Sequence, residues 1–325
     1  NICNYTLQRR LTVKKYLWIF LTALCSYIFY FFSLPPSTPY TPPPLPVQEQ
    51  LLLVPLDSRP PCTLIAQDLG RLASIDVILP PKELLDNYRT PANREKLSSW
   101  LSHNAGNCPA VISGDLLIHG GLLASRLPQG TVNDEQNFFK LLQTIPSGED
   151  ITVFSIIPRL LVSDNLLPDA WYQWHLMRYS TLRDIVEQFG DYHSTAQLEE
   201  IKNKIPQEIL QKYNVLYSAN DSFNKQLAAL CAAKNYTLVI GQDDAQPFGL
   251  PNRNRTHAEA YMRRAGLSSA STTTCGADEI AQMLTARRFC QINNYKPKFY
   301  IEYTTGSAAT AAARGLAAIR GYPPL

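Results

Sequence analysis

The sequence predicts an α/β protein organised on a parallel β-sheet. Short apolar runs alternate with helical patterns along most of the 325 residues. Residues 51–56 (LLLVPL) are apolar throughout, as expected of a strand buried on both faces of a parallel sheet. Consecutive parallel strands need crossover helices, so the sheet is either doubly wound or closed into a (β/α)-barrel. Seven candidate strands favour the barrel-like arrangement slightly.

The N-terminal region predicts a membrane helix that precedes this domain. Residues 1–15 form a basic tail, and residues 16–34 (YLWIFLTALCSYIFYFFSL) are 19 residues without a charge. That length is enough to cross the hydrocarbon core, and the basic flank places the N-terminus in the cytoplasm. An uncleaved signal-anchor is the favoured interpretation; a cleaved signal peptide and a lipoprotein signal around Cys25 are the alternatives. All three place the remainder outside the cytoplasm.

A proline-rich stretch separates the membrane segment from the folded domain. Residues 35–47 (PPSTPYTPPPLPV) contain seven prolines and predict an extended polyproline-II linker. Residues 48–325 form the α/β domain, which we expect to be incomplete at its C-terminus.

The later elements follow from the same alternation of patterns. Proline 206 is expected to separate two helices within a mainly helical region. The further candidate strands are 77–79, 110–113, 151–157, 237–240, 268–274 and 298–303, and the candidate helical regions are 63–73, 91–103, 133–143, 169–234, 257–265 and 276–288.

Composition excludes several classes of function. The net charge is only +3, and no basic stripe interleaved with aromatic residues appears, so nucleic acid is not an expected partner. P-loop and GxGxxG patterns are missing, which argues against ATP and NAD. The seven cysteines are scattered without a CxxC pair, which argues against a zinc knuckle. We therefore predict no cofactor and no resident metal.

Polar residues follow most of the candidate strands, at the end where ligands bind in α/β proteins. Each has a structural alternative: a helix cap or ion pair for Asp57, a first-turn position for Asp278 and Glu279, a satisfied loop histidine for His119 and a turn for the paired aspartates. The candidate site residues are Asp57, Arg59, Asp115, His119, Arg126, Arg159, Asp243, Asp244, Asp278 and Glu279.

Several of these residues lie in motifs that resemble a known family. The motifs are Asp-x-Arg-Pro from Asp57, Gly-Asp-Leu from Gly114, Gly-Gln-Asp-Asp-Ala from Gly241 and Gly-Ala-Asp-Glu from Gly276. Together they are similar to a bacterial extracytoplasmic family known only as a domain of unknown function. The resemblance covers residue 51 to the C-terminus and implies no particular activity.

A weaker likeness concerns mechanism. Adjacent aspartates at a strand end resemble those of barrel glycosidases that act on N-acetylhexosamines. That likeness implies that one acid orients the acetamido group of the substrate while its neighbour protonates the leaving oxygen, which needs two different pKa values. The leading hypothesis is thus a membrane-tethered glycosidase of cell-wall or surface polysaccharide, with Asp243 and Asp244 as the acid pair.

The other candidates would bind the sugar, and their arginines favour a ligand that carries a carboxylate or phosphate. Two alternatives stay open. One is metal-assisted hydrolysis with Asp57, Asp115, His119 and Asp243 as ligands. The other is a non-catalytic module that binds sugar or cell wall.

Overall fold

The computed structural model describes residues 20–27, 46–87, 90–126, 132–146, 150–161, 169–243 and 247–298. The chain divides into two compact units, Asn1–Pro44 and Leu45–Leu325. In the first unit, residues 20–27 are helical. No helix within the described residues has the length and apolar character needed to cross a bilayer. The rest of the predicted anchor, nearly all of the proline-rich linker and residues 299–325 lie outside the described residues.

The second unit is built on a parallel sheet whose strands are short and apolar. Its neighbouring strands all pair in parallel, in the order β2-β1-β3-β4-β5-β6. The strands are β1 (Glu49–Val54), β2 (Ile75–Ile78), β3 (Ala110–Ser113), β4 (Ile151–Ile157), β5 (Thr237–Gln242) and β6 (Thr272–Cys275).

The sheet is open in the described part of the chain, which corrects the slight preference for a barrel. β2 and β6 lie at opposite edges, and the described residues include no pairing that joins them. The described residues contain six of the seven candidate strands. The seventh candidate, 298–303, lies outside the described residues except for its first residue. The α/β class and the parallel sheet are confirmed, in the doubly wound form.

Most of the helices lie close to the predicted ones, but the two short helices at Gly114–His119 and Leu122–Ser125 were not predicted. Two boundaries are informative. Proline 206 separates two helices as predicted, whereas the predicted helix 257–265 begins at Leu250, because Pro251 occupies the first turn, where proline is well tolerated. The helices are α1 (Leu64–Leu72), α2 (Arg94–Asn104), α3 (Gly114–His119), α4 (Leu122–Ser125), α5 (Val132–Thr144), α6 (Gln173–Phe189), α7 (Tyr192–Lys202), α8 (Gln207–Lys234), α9 (Leu250–Ala265) and α10 (Ile280–Ile292).

Both faces of the sheet are covered, since successive side chains of a strand point to opposite faces. On one face, Leu52 and Val54 of β1 belong to a buried cluster that includes residues of α2, α5, α8 and α9. On the other face, Leu51 and Leu53 belong to a cluster that includes residues of α1 and α10. This two-sided burial explains why β1 reads as a continuous apolar run.

A helical insertion between β4 and β5 has a small core of its own. Residues from α6, α7 and the first half of α8, together with Leu250, form this third cluster. Two buried tyrosines of α8 tie the insertion to the end of β4. The Tyr217 hydroxyl donates to the carbonyl of Arg159 at 2.6 Å, and the Tyr213 hydroxyl donates to that of Leu160 at 3.2 Å. The insertion therefore stands beside the carboxyl end of the sheet.

The strand order fixes where a site is expected. The chain moves from β1 outward to β2, then returns to β3 and continues through β6 on the other side. In open α/β sheets, ligands bind beyond the carboxyl ends of the strands near such a reversal. We therefore expect a site among the loops that follow β1, β3, β4 and β5.

Candidate functional site

Asp115 lies directly beyond β3, in the first turn of α3. Its carboxylate accepts a hydrogen bond from the backbone N–H of Ile156 at 2.8 Å, so it is attached to the neighbouring strand β4. The residue is only 5% exposed. Burial raises the pKa of Asp115 to about 7; the hydrogen bond from Ile156 opposes this shift, and the nearby charge of Asp243 adds to it. Asp115 can therefore exchange a proton near neutral pH.

Asp243 lies directly beyond β5 and also contacts the end of β4. Its backbone N–H donates to the carbonyl of Ile157 at 3.2 Å, which extends the pairing of the two strands by one residue. Its carboxylate accepts a hydrogen bond from Nη2 of Arg126. The side chains of Arg126 and Asp243 are only 7% and 13% exposed. We call Asp115, Arg126 and Asp243 the central site.

Two glycines allow Arg126 to reach this position. Gly120 ends α3 with φ of +85°, and Gly121 begins α4 with φ of +130°, both in the region that favours glycine. A Cβ atom on Gly120 would lie 2.8 Å from the backbone nitrogen of Ala92, so no larger residue fits there without displacement. The Gly-Gly pair thus reverses the chain tightly between Asp115 and Arg126.

A small pocket adjoins the central site, on the side covered by α3, α5 and α8. Its volume is about 90 Å³, and we call it the side pocket. Burial and the nearby Arg94 lower the pKa of His119 to about 4, whereas burial raises the pKa of Glu135. The side pocket is lined by Asp115, Ile118, His119, Ser125, Glu135, Ser155, Ile156, Pro158, Val215, Leu216, Ala219, Asn220 and Phe223.

Asp57, Arg59 and Asp278 form a second cluster, which we call the edge triad. Nε of Arg59 donates to Asp57 at 2.8 Å, and its two terminal nitrogens donate to Asp278 at 3.0 and 2.6 Å. Burial alone would lower the pKa of Arg59, but these hydrogen bonds raise it above its usual value. The triad joins the loop after β6 to the loop after β1.

The remaining candidates have varied positions. His119 lines the side pocket, and the backbone carbonyl of Arg159 accepts the Tyr217 hydroxyl. The carboxylate of Glu279 folds back over Gly276. Asp244 lies outside the described residues. The structure thus gathers six of the ten candidates into two clusters, the central site and the edge triad, and in each cluster an arginine guanidinium donates to an aspartate.

The ligand set of the metal hypothesis is not assembled. Within the described residues, no group of three or more histidine, cysteine, aspartate and glutamate side chains is placed to hold a metal ion. Asp57 pairs with Arg59 and Asp243 pairs with Arg126, while His119 faces the side pocket.

Sequence reasoning missed two polar residues near these clusters. Asp86 accepts the backbone N–H of Ser58 at 2.6 Å, and burial raises its pKa. Ser155, inside β4, faces the side pocket and is 1% exposed. Asp86 follows β2 and could have been found as a strand-end acid. Ser155 had only one sequence indication, a polar residue within the apolar run of β4.

The chain belongs to a family described as "Protein of unknown function (DUF4127)", which it matches over residues 51–314. The predicted resemblance to a family of unknown function is therefore confirmed. Searches of curated proteins and of solved structures each returned no match.

Proposed function

We propose that this chain is a membrane-tethered hydrolase facing outside the cytoplasm, which cleaves a glycosidic bond in a cell-wall or surface polysaccharide. The tether and the location rest on the uncharged segment 16–34 and the proline-rich linker. The chemistry rests on the central site. Its assignment changes one member of the acid pair, because Asp115 rather than Asp244 is the described carboxylate that interacts with Asp243.

The observation that supports this chemistry is a pair of aspartates in two different environments. Asp115 is buried, has no arginine partner among the described residues and has a pKa of about 7, whereas Asp243 is paired with Arg126. Enzymes that cleave glycosidic bonds need one carboxyl group that donates a proton and a second that acts as a carboxylate. The central site offers a candidate for each role, in the loops that follow β3 and β5.

The reaction assigns one step to each aspartate. Protonated Asp115 donates its proton to the leaving oxygen as the bond between that oxygen and the sugar carbon breaks. A water molecule adds to the same carbon and gives one proton to the carboxylate of Asp243. Arg126 positions that carboxylate through its hydrogen bond. Exchange with solvent then restores both protonation states.

The test is a screen of the full chain against cell-wall and surface polysaccharides, with release of reducing ends as the readout. Substitution Asp115→Asn should lower turnover by roughly 10²- to 10⁴-fold, the usual contribution of a general acid. Substitution Asp68→Asn, in an exposed ion pair with Arg71 on α1, is the control and should leave turnover within about twofold, because exposed ion pairs contribute little.

The pH profile gives a second readout. Turnover should fall as the pH rises above about 7, because Asp115 must be protonated to act as the acid. Full activity of Asp115→Asn would contradict the assignment. Loss of activity on treatment with a chelator would support metal-assisted hydrolysis instead, and binding without any turnover would support a sugar-binding module.

A further inference from the structure

The side pocket contains two buried polar atoms that need a partner. Within the described residues, Oγ of Ser155 and Nδ1 of His119 make no hydrogen bond, and both atoms are inaccessible to solvent. Leaving a buried polar atom unsatisfied costs about 1–3 kcal/mol. A polar group in the pocket, like a water molecule, can supply the hydrogen bonds that these two atoms lack.

The charges around the side pocket favour a neutral group. No lysine or arginine is among its lining residues, whereas Asp115 and Glu135 are. His119, with its pKa of about 4, is neutral at pH 7 and offers an anion no positive charge. The raised pKa values of both acids also show that this environment disfavours charge.

The volume of the side pocket and its apolar lining residues indicate more closely which neutral group it can bind. The volume of about 90 Å³ is several times the roughly 10–15 Å³ that one water molecule needs, so the pocket can hold a group of several heavy atoms. Ile118, Leu216 and Phe223 provide apolar walls, against which burial of a methyl group is favourable and burial of an unpaired hydroxyl is unfavourable. A small group with a methyl at one end and a hydrogen-bond acceptor at the other matches both kinds of wall.

We propose that the side pocket recognises an acetyl group on the polysaccharide, with Ser155 as a donor to its carbonyl oxygen. The acetyl group can belong to an N-acetylated or an O-acetylated sugar, which share this chemistry. The inference rests on the proposed function only in assuming a sugar ligand. It adds a specificity site next to Asp115, which would place the reacting bond of an acetylated sugar near the central site.

The experiment measures binding to the full chain by titration calorimetry with matched sugars. The probes are N-acetylglucosamine against glucosamine, and 6-O-acetylglucose against glucose. We expect at least one acetylated sugar to bind tenfold or more tightly than its unacetylated match. The two pairs distinguish an amide source from an ester source. Equal binding within each pair, or no binding of either acetylated sugar, would overturn the proposal.

Two substitutions connect this preference to the side pocket. Ala219 is exposed and lines the pocket, so Ala219→Leu should cover the opening without disturbing the core and should weaken binding of the acetylated sugar tenfold or more. Ser155→Ala should weaken it about threefold to tenfold. Ala196→Leu, at an exposed position of α7, is the control and should bind as the unsubstituted chain does.

The outcomes separate this inference from the proposed function. Polysaccharide cleavage that is unaffected by Ala219→Leu would leave the hydrolase proposal standing and overturn the acetyl pocket. Acetyl-dependent binding that Ala219→Leu abolishes, in a chain that cleaves no glycan, would support the pocket and overturn the hydrolase. A high-resolution crystal structure with the acetylated sugar in which only water occupies the pocket would also overturn the inference.

Discussion

The central site and the edge triad are made of the same residue types, two aspartates and one arginine, but their surroundings differ. In the edge triad, the side chains of Arg59 and Asp278 are 38% and 41% exposed. In the central site, those of Arg126 and Asp243 are 7% and 13% exposed. In the edge triad one arginine binds both aspartates, whereas the described contact of Arg126 is to Asp243 alone.

This difference explains why only one cluster is proposed to be catalytic. In the edge triad, the guanidinium of Arg59 donates hydrogen bonds to two carboxylates at once. These bonds hold the loop after β1 against the loop after β6. In the central site, Asp115 is buried beside the side pocket and has no arginine partner in the described part of the chain, so burial raises its pKa to about 7. Residue type alone therefore does not identify a reactive site; burial and the distribution of partners do.

The largest expected contrast comes from making the same substitution in both clusters. Asp243→Asn leaves the buried charge of Arg126 without its partner and should lower the free energy of unfolding by about 3–5 kcal/mol. Asp278→Asn leaves Arg59 half-exposed and still bound to Asp57, so the loss should be about 1 kcal/mol or less. Urea denaturation of the full chain measures both values.

The contrast would be contradicted if Asp243→Asn and Asp278→Asn lowered the free energy of unfolding by the same amount. Equal losses would mean that water reaches Arg126 as readily as it reaches Arg59, and the central site would then be no more desolvated than the triad. That result would remove the physical basis for the raised pKa of Asp115.

The next contrast is the pH dependence of stability that Asp115 creates. Its folded pKa of about 7 lies above the unfolded value of 3.8, so the folded chain binds the proton more tightly. The stabilisation is present below pH 3.8 and is lost as the pH rises through 7, amounting to roughly 4 kcal/mol. Asp115→Asn removes this contribution, so the free energy of unfolding of the unsubstituted chain relative to the variant should fall by about 4 kcal/mol as the pH rises from 4 to 7, as measured by denaturation of both chains at several pH values. A difference between the two chains that stays constant with pH would show that Asp115 is not the titrating group.

Much of the fold was predictable because burial and periodicity are local. The apolar run at residues 51–56 predicted β1, and the alternation of strands and helices predicted the parallel sheet. The choice between an open and a closed sheet depends on which strands pair at the edges, and no local pattern encodes that pairing. The early start of α9 was missed because Pro251 interrupts a helix in its interior but suits its first turn.

The sequence predicted which residues are candidates for the site, but not which of them contact one another. Strand-end positions predicted Asp57, Asp115 and Asp243 as members of a polar rim. The contact between Arg59 and Asp278 joins residues 219 positions apart, so it follows from the packing of the loop after β6 and not from any motif. Ser155 was missed because a single serine in an apolar strand is indistinguishable from a tolerated core residue until the pocket is seen.

The smallest contrast lies inside the side pocket, between the pH dependence of stability that His119 creates and the one that Asp115 creates. Burial and Arg94 lower the folded pKa of His119 to about 4, below the usual 6.5, with Asp134 acting in the opposite direction. Its contribution to stability, roughly 3 kcal/mol, is therefore present above pH 6.5 and lost as the pH falls through 4. Between pH 4 and 6.5 this slope is opposite in sign to that of Asp115, so the two largely cancel in the unsubstituted chain. In His119→Gln, the free energy of unfolding should fall as the pH rises through this range. In Asp115→Asn, it should increase over the same range. Denaturation midpoints across this range measure both, and slopes of the same sign in the two variants would show that the pocket does not hold both groups in their uncharged forms.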